Sequence, residues 1–127
     1  MAIRGIFTLS ILTVIILSGC SALSLKQEYV RADEDMKVKP VWSGVLFTIP
    51  EKRTIQKIVI VGKGRIQNIE IQARIDKDEW KTIKNIKRVI TFPYEIHTMV
   101  RADAIRILQK TVTGKGRIET IELYKVK

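Results

Sequence analysis

The stretch Ile69-Glu70-Ile71-Gln72-Ala73-Arg74-Ile75 alternates apolar and polar residues at every step. A strand turns successive side chains to opposite faces, so a period of two puts one face on a core and the other in water. A helix would need its apolar residues three and four apart, and residues 69–75 do not supply that spacing. Gly62-Lys63-Gly64 lies ahead and Asp76-Lys77-Asp78-Glu79 lies behind, so the run reads as one half-buried strand with a turn at each end.

The flanking chain follows the same pattern. Residues 55–61 are rich in β-branched side chains and carry no helical period. Val45, Phe47 and Ile49 alternate before them, and Pro50-Glu51-Lys52 reads as a turn. Downstream, Trp80 opens a strand through Thr82 and Ile83, residues 89–92 are apolar, and Pro93 interrupts them. Residues 94–100 read as extended, Arg101-Ala102-Asp103 as a turn, and residues 104–108 as another strand. Gly114-Lys115-Gly116 breaks the chain before a last strand holding Ile121, Leu123 and Val126. The count is about eight short strands with no helix between them, the spacing of an all-β sandwich or barrel. The expected core holds Ile58, Ile60, Ile69, Ile71, Ile105, Ile107, Ile121 and Leu123. One element recurs: Gly62-Lys63-Gly64-Arg65-Ile66 returns as Gly114-Lys115-Gly116-Arg117-Ile118, followed by Ile69-Glu70-Ile71 and Ile121-Glu122-Leu123. Two copies make no solenoid; they are two similar strands entered through two similar loops.

The N-terminus has a different character. Arg4 precedes a mostly apolar run over residues 6–17, too short to span a bilayer comfortably, and Leu17-Ser18-Gly19-Cys20 follows. This segment resembles the signal peptide and lipobox of bacterial lipoproteins. The resemblance implies thioether lipidation of Cys20, cleavage before it and acylation of the new amino group. The expected organisation is a signal peptide, drawn as a helix, over 1–19, a lipidated N-terminus and linker over 20–40, and a folded domain over 41–127. Ser21, where an Asp commonly retains lipoproteins in the inner membrane, points to the outer membrane of a diderm envelope. Cys20 is the only cysteine, so no intramolecular disulfide is available and packing alone must hold the fold.

Charge narrows the partners. The full chain has a net charge of +10, and loss of Arg4 with the signal leaves 22 basic against 13 acidic residues, or +9. Such a balance favours anionic partners, and export argues against nucleic acid.

The strand pattern also resembles a known family. Ile58-Val59-Ile60, a glycine loop, Ile69-Glu70-Ile71-Gln72, a turn, Trp80, Ala104-Ile105-Arg106-Ile107 and Ile121-Glu122-Leu123-Tyr124 are similar to the discoidin family, the coagulation-factor C-domain type of the galactose-binding-like fold. The resemblance covers about residues 41–126. It implies an eight-stranded jelly-roll sandwich binding sugars, phospholipid head groups or proteins through loops at one end, with Trp80 in the core. The chain departs from the family in lacking the disulfide that often joins the domain ends and in being shorter.

No catalytic set emerges. His97 is the only histidine, it sits in an expected strand, and neither Ser24 nor Ser43 lies in a nucleophile-elbow glycine pattern. Asp76 and Asp78, or Asp33, Glu34 and Asp35, could ligate calcium, but read more simply as solvated turn and linker charges. No metal or cofactor is expected. The two Gly-Lys-Gly loops lack the glycine spacing and Lys-Ser/Thr ending of a phosphate-binding loop and are followed by strands. Trp42 precedes Ser43-Gly44; core burial is the first expectation for it and stacking on a sugar the second. The candidate ligand-binding residues are Trp42, Lys63, Arg65, Lys115 and Arg117. The expected function is a non-catalytic, membrane-anchored binding module for an anionic glycan or lipid head group. The alternative is an accessory subunit that docks another envelope protein.

Overall fold

The computed structural model describes residues 28–110 and 116–127. The signal segment, Cys20, Gly114 and Lys115 lie outside the described residues.

The chain forms β1 (Tyr29–Arg31), β2 (Lys37–Val41), β3 (Gly44–Lys63), β4 (Arg65–Asp76), β5 (Glu79–Thr91), β6 (Tyr94–Gln109) and β7 (Arg117–Val126). All pairings are antiparallel, in the order β1-β7-β3-β6-β4-β5, with β2 pairing β3. The expected sandwich is present, with seven strands among the described residues where about eight are expected.

Two expected turns are interruptions inside long strands. Pro50-Glu51-Lys52 lies within β3, where pairing with β6 jumps from Thr48 to Arg53, and Arg101-Ala102-Asp103 lies within β6. A proline is tolerated in a strand where the ladder is already broken, which suits Pro50 to the irregularity. These breaks let one continuous sheet fold over itself. The first part of β3 pairs β2 and the last part of β6, which also pairs β4. The last part of β3 pairs β7 and the first part of β6.

Side-chain parity follows the breaks. In β3 the buried residues are Phe47, Ile49 and Ile55, then Ile58 and Ile60 after a second register shift between Ile55 and Lys57. A one-residue slip turns every later side chain to the other face, so the bulge is what sends Ile58 and Ile60 inward. All eight expected core residues are at most 1% exposed. They join Phe47, Ile55, Ile66, Ile96 and others in a single apolar cluster.

The sheet begins ahead of residue 41. β1 and all of β2 but Val41 lie in the stretch expected to be linker, and β1 pairs Tyr29 with Val126 and Arg31 with Tyr124. Asp33 is structural: its carboxylate accepts the Leu123 N–H at 3.0 Å and an Arg31 N–H at 2.8 Å. The same contact raises the Arg31 pKa above its ordinary value. The chain therefore enters the domain beside Val126, the end of β7 farthest from Arg117.

Candidate functional site

The described residues of the two similar glycine stretches meet. Gly64 sits at φ 73° between β3 and β4, a left-handed turn that glycine adopts without strain. Across it, Lys63 pairs with Arg117 and Gly62 with Ile118. Gly116 passes so close to the other loop that a Cβ would lie 2.1 Å from the Arg65 carbonyl oxygen. The backbones of Arg65 and Arg117 are thus brought side by side, and Lys63, Arg65 and Arg117 are all exposed. Lys115 lies outside the described residues. The cluster is not wholly cationic, because Lys63 Nζ is 4.0 Å from Glu119 on β7. Among the described residues, Arg65 and Arg117 have no carboxylate partner.

Trp42 is 93% exposed, which overturns its expected burial. It forms, with Ser43 at φ 61°, the two-residue turn between β2 and β3, where Val41 pairs with Gly44. A side chain at the tip of so tight a hairpin has no second layer to pack against. The turn is fixed to the same end of the sandwich: Gln109 donates its N–H to the Ser43 carbonyl at 2.7 Å. A groove of about 270 Å³ is lined by Ser43, Gly44, Val45, Gln109, Arg117 and Ile118. The turn carrying Trp42 and the start of β7 carrying Arg117 therefore border one groove. Of the five candidate ligand residues, the structure gathers Lys63, Arg65 and Arg117 and places the Trp42 turn beside them.

Trp80 is not in the core. It is half-buried on the outer face, with the Arg106 guanidinium 4.1 Å and the Arg74 guanidinium 5.8 Å from its ring centre. The cause is register: Trp80 stands opposite Arg74, a polar-face residue of β4, so it shares the solvent side. Its cations are held in turn, Arg74 by Asp103 at 2.8 Å and Arg106 by the Gln72 side-chain oxygen at 2.8 Å. Gln72 donates to Glu70, which also accepts from Thr82 at 3.0 Å and pairs with Lys110 at 3.0 Å. These donors, Gln72 foremost, hold the Glu70 carboxyl below its ordinary pKa. Sequence reading missed this network because it joins three strands whose registers no local pattern reveals.

Among the described residues the expected catalytic candidates stand apart. His97 is exposed, 3.5 Å from the Tyr29 hydroxyl and 3.5 Å from Glu95, and Ser43 lies in the β2–β3 turn. Among the described residues no group of three or more His, Cys, Asp or Glu converges as a metal site. Asp33 is engaged by Arg31 and Leu123, and Asp76 accepts its neighbour Lys77 N–H at 2.9 Å.

No protein-family model and no curated protein matches the chain. Solved structures match in fold. A CBM32 module from a family 31 glycoside hydrolase of Clostridium perfringens has a TM-score of 0.58 at 13% identity, covering 75% of this chain and 97% of that one. A second C. perfringens module, CpGH89CBM32-6, has a TM-score of 0.55 at 19% identity, covering 79% and 92%. A truncated AlyQ with CBM32 and alginate lyase domains has a TM-score of 0.58 at 10% identity; the match covers 80% of this chain and 34% of that one. CBM32 modules are a carbohydrate-binding, non-catalytic domain type, and some are attached to enzymes. At these identities the likeness is one of architecture, and the chain is an antiparallel β-sandwich matching the galactose-binding-like fold of the CBM32 domains.

Proposed function

We propose that this protein is a non-catalytic glycan-binding module, anchored to a bacterial envelope membrane through lipid on Cys20, whose ligand carries acidic groups. The observation that carries the reading is the convergence at one end of the sandwich. Lys63 pairs with Arg117, Gly116 abuts Arg65, and the exposed Trp42 turn borders the same groove. Like charges repel, so two arginines without carboxylate partners are best stabilised there by an anion, and guanidinium groups bind carboxylate or sulfate in paired hydrogen bonds. An exposed indole suits the apolar face of a sugar ring. Lys115 continues the same loop in sequence and belongs to the proposed set. The arrangement also suits a tether. The described chain starts beside Val126, at the opposite end of β7 from Arg117, so a lipid-borne N-terminus would leave the cationic end facing away from the membrane.

The test is binding to acidic polysaccharide in affinity electrophoresis. Replacing Lys63, Arg65, Lys115 and Arg117 together with alanine should abolish retention by polygalacturonate while leaving the thermal midpoint nearly unchanged. Rising salt should weaken wild-type retention, because exposed charges are screened. Retention unaffected by the fourfold change would overturn the assignment of this end as the binding site.

A further inference from the structure

The cationic end is continuous with a basic sheet edge. β5 is the terminal strand of the sheet order, and it carries Lys81, Lys84, Lys87 and Arg88, with Lys77 in the turn before it. Among the described residues none of these five is ion-paired with a carboxylate. Lysines on an edge are a common guard against unwanted strand pairing, and that reading accounts for Lys77, Lys81 and Lys87. It does not account for Lys84 and Arg88. Both lie over the Tyr94 ring, at 5.9 and 5.6 Å from its centre, and Arg88 also donates to the Tyr94 hydroxyl at 3.0 Å. A register break lies at Arg88. Pairing jumps from Gln67–Val89 to Ile69–Ile86, which sets Lys87 and Arg88 against the single residue Asn68. The result is an open depression of about 330 Å³ lined by Lys84, Asn85, Ile86, Lys87, Arg88 and Tyr94, with an aromatic edge and three cations.

This pocket does not stand apart from the loop end. Arg65 is the register partner of Thr91, three residues beyond Arg88 on β5. From Arg65 the cations Arg88, Lys84 and Lys81 follow at intervals of three or four residues, roughly 10–13 Å each along a strand. A terminal sugar could engage only the loop cluster. A row of cations that passes over a ring-sized depression fits a chain with acidic groups repeated along it.

We infer that the ligand is a linear polyanionic polysaccharide, bound along its length from the Arg65–Arg117 loops over the β5 edge and into the Lys84–Arg88–Tyr94 pocket. The inference rests on the proposed function of the loop end and extends it from a single acidic group to a repeating one.

Galacturonate oligomers of increasing length, from dimer to octamer, test it by calorimetry on the full chain. Wild-type affinity should rise roughly a hundredfold with length, as linked contacts become intramolecular. Lys84→Gln with Arg88→Gln should bind the dimer as wild type does and lose about tenfold on the octamer, as expected for two exposed charge-assisted contacts. Equal affinity for all lengths, or an octamer indifferent to the double change, would overturn the extended site and leave the loop site standing. Failure of wild type to bind any oligomer would overturn both. Binding of phosphatidylglycerol vesicles without oligomers, lost in the double variant, would assign the strip to a lipid surface and overturn the polysaccharide.

Discussion

Trp80 and Trp42 both depart from their expected burial. The tryptophan expected in the core is half-buried against Arg106, and the one first expected to be buried is almost fully exposed at a hairpin tip. The difference sets the cost of substitution. Trp80→Ala should cost about 1–2 kcal/mol, because an exposed-face stack on arginine is lost and no core cavity opens. Ile105→Ala, at a fully buried position, should cost about 2–5 kcal/mol. Chemical denaturation of the two variants measures both, and a loss for Trp80→Ala equal to that of Ile105→Ala would contradict the outward placement. Asp33 shows the reverse shift. It reads as a solvated linker charge, yet its side chain is only 9% exposed and caps the Leu123 N–H.

The outer surface of β4, β5 and β6 is held by a chain of polar contacts running from Trp80 and Arg106 through Gln72 to Glu70, Thr82 and Lys110. Glu70 is the titrating member. Its pKa is lowered in the folded protein, chiefly by the Gln72 amide and then by Lys110 and Thr82. A lowered folded value means that the stabilisation is present above the unfolded pKa and is lost as pH falls through the folded one. The network should therefore hold at neutral pH and weaken only below the ordinary glutamate value of 4.5. Wild type should exceed Glu70→Gln in thermal midpoint at about pH 6, and the gap should close towards about pH 3. A gap that widens on acidification would show that Glu70 is not stabilised as a carboxylate.

The molecule as a whole is polar in its layout. The described chain enters beside Val126, while the Gly64 and Gly116 loops and the Trp42 turn lie at the other end. The proposed anchor makes use of that layout. Cys20→Ala should lose labelling by radioactive palmitate and partition with soluble protein after cell fractionation. Labelling that persists in the variant would remove the lipobox reading, without touching the binding end.

Alternation was legible where it is local. Residues 69–75 alternate strictly, and Ile69, Ile71 and Ala73 are all fully buried, because a strand's period of two is written into consecutive residues. The all-β sandwich class and the core positions in the alternating runs, Ile69, Ile71, Ile121 and Leu123 among them, came from the same signal, while the inward facing of Ile58 and Ile60 did not. The repeated Gly-Lys-Gly-Arg stretch marked two loops as alike. That they touch depends on Lys63 pairing with Arg117, a contact between distant parts of the chain. The parity of β3, the outward face of Trp80, the role of Asp33 and the β5 pocket all rest on bulges and registers between strands far apart in sequence. A bulge inserts a single residue and leaves composition and hydropathy unchanged, so no run of residues announces it. Only the pairing of whole strands around a common core decides which face each side chain takes.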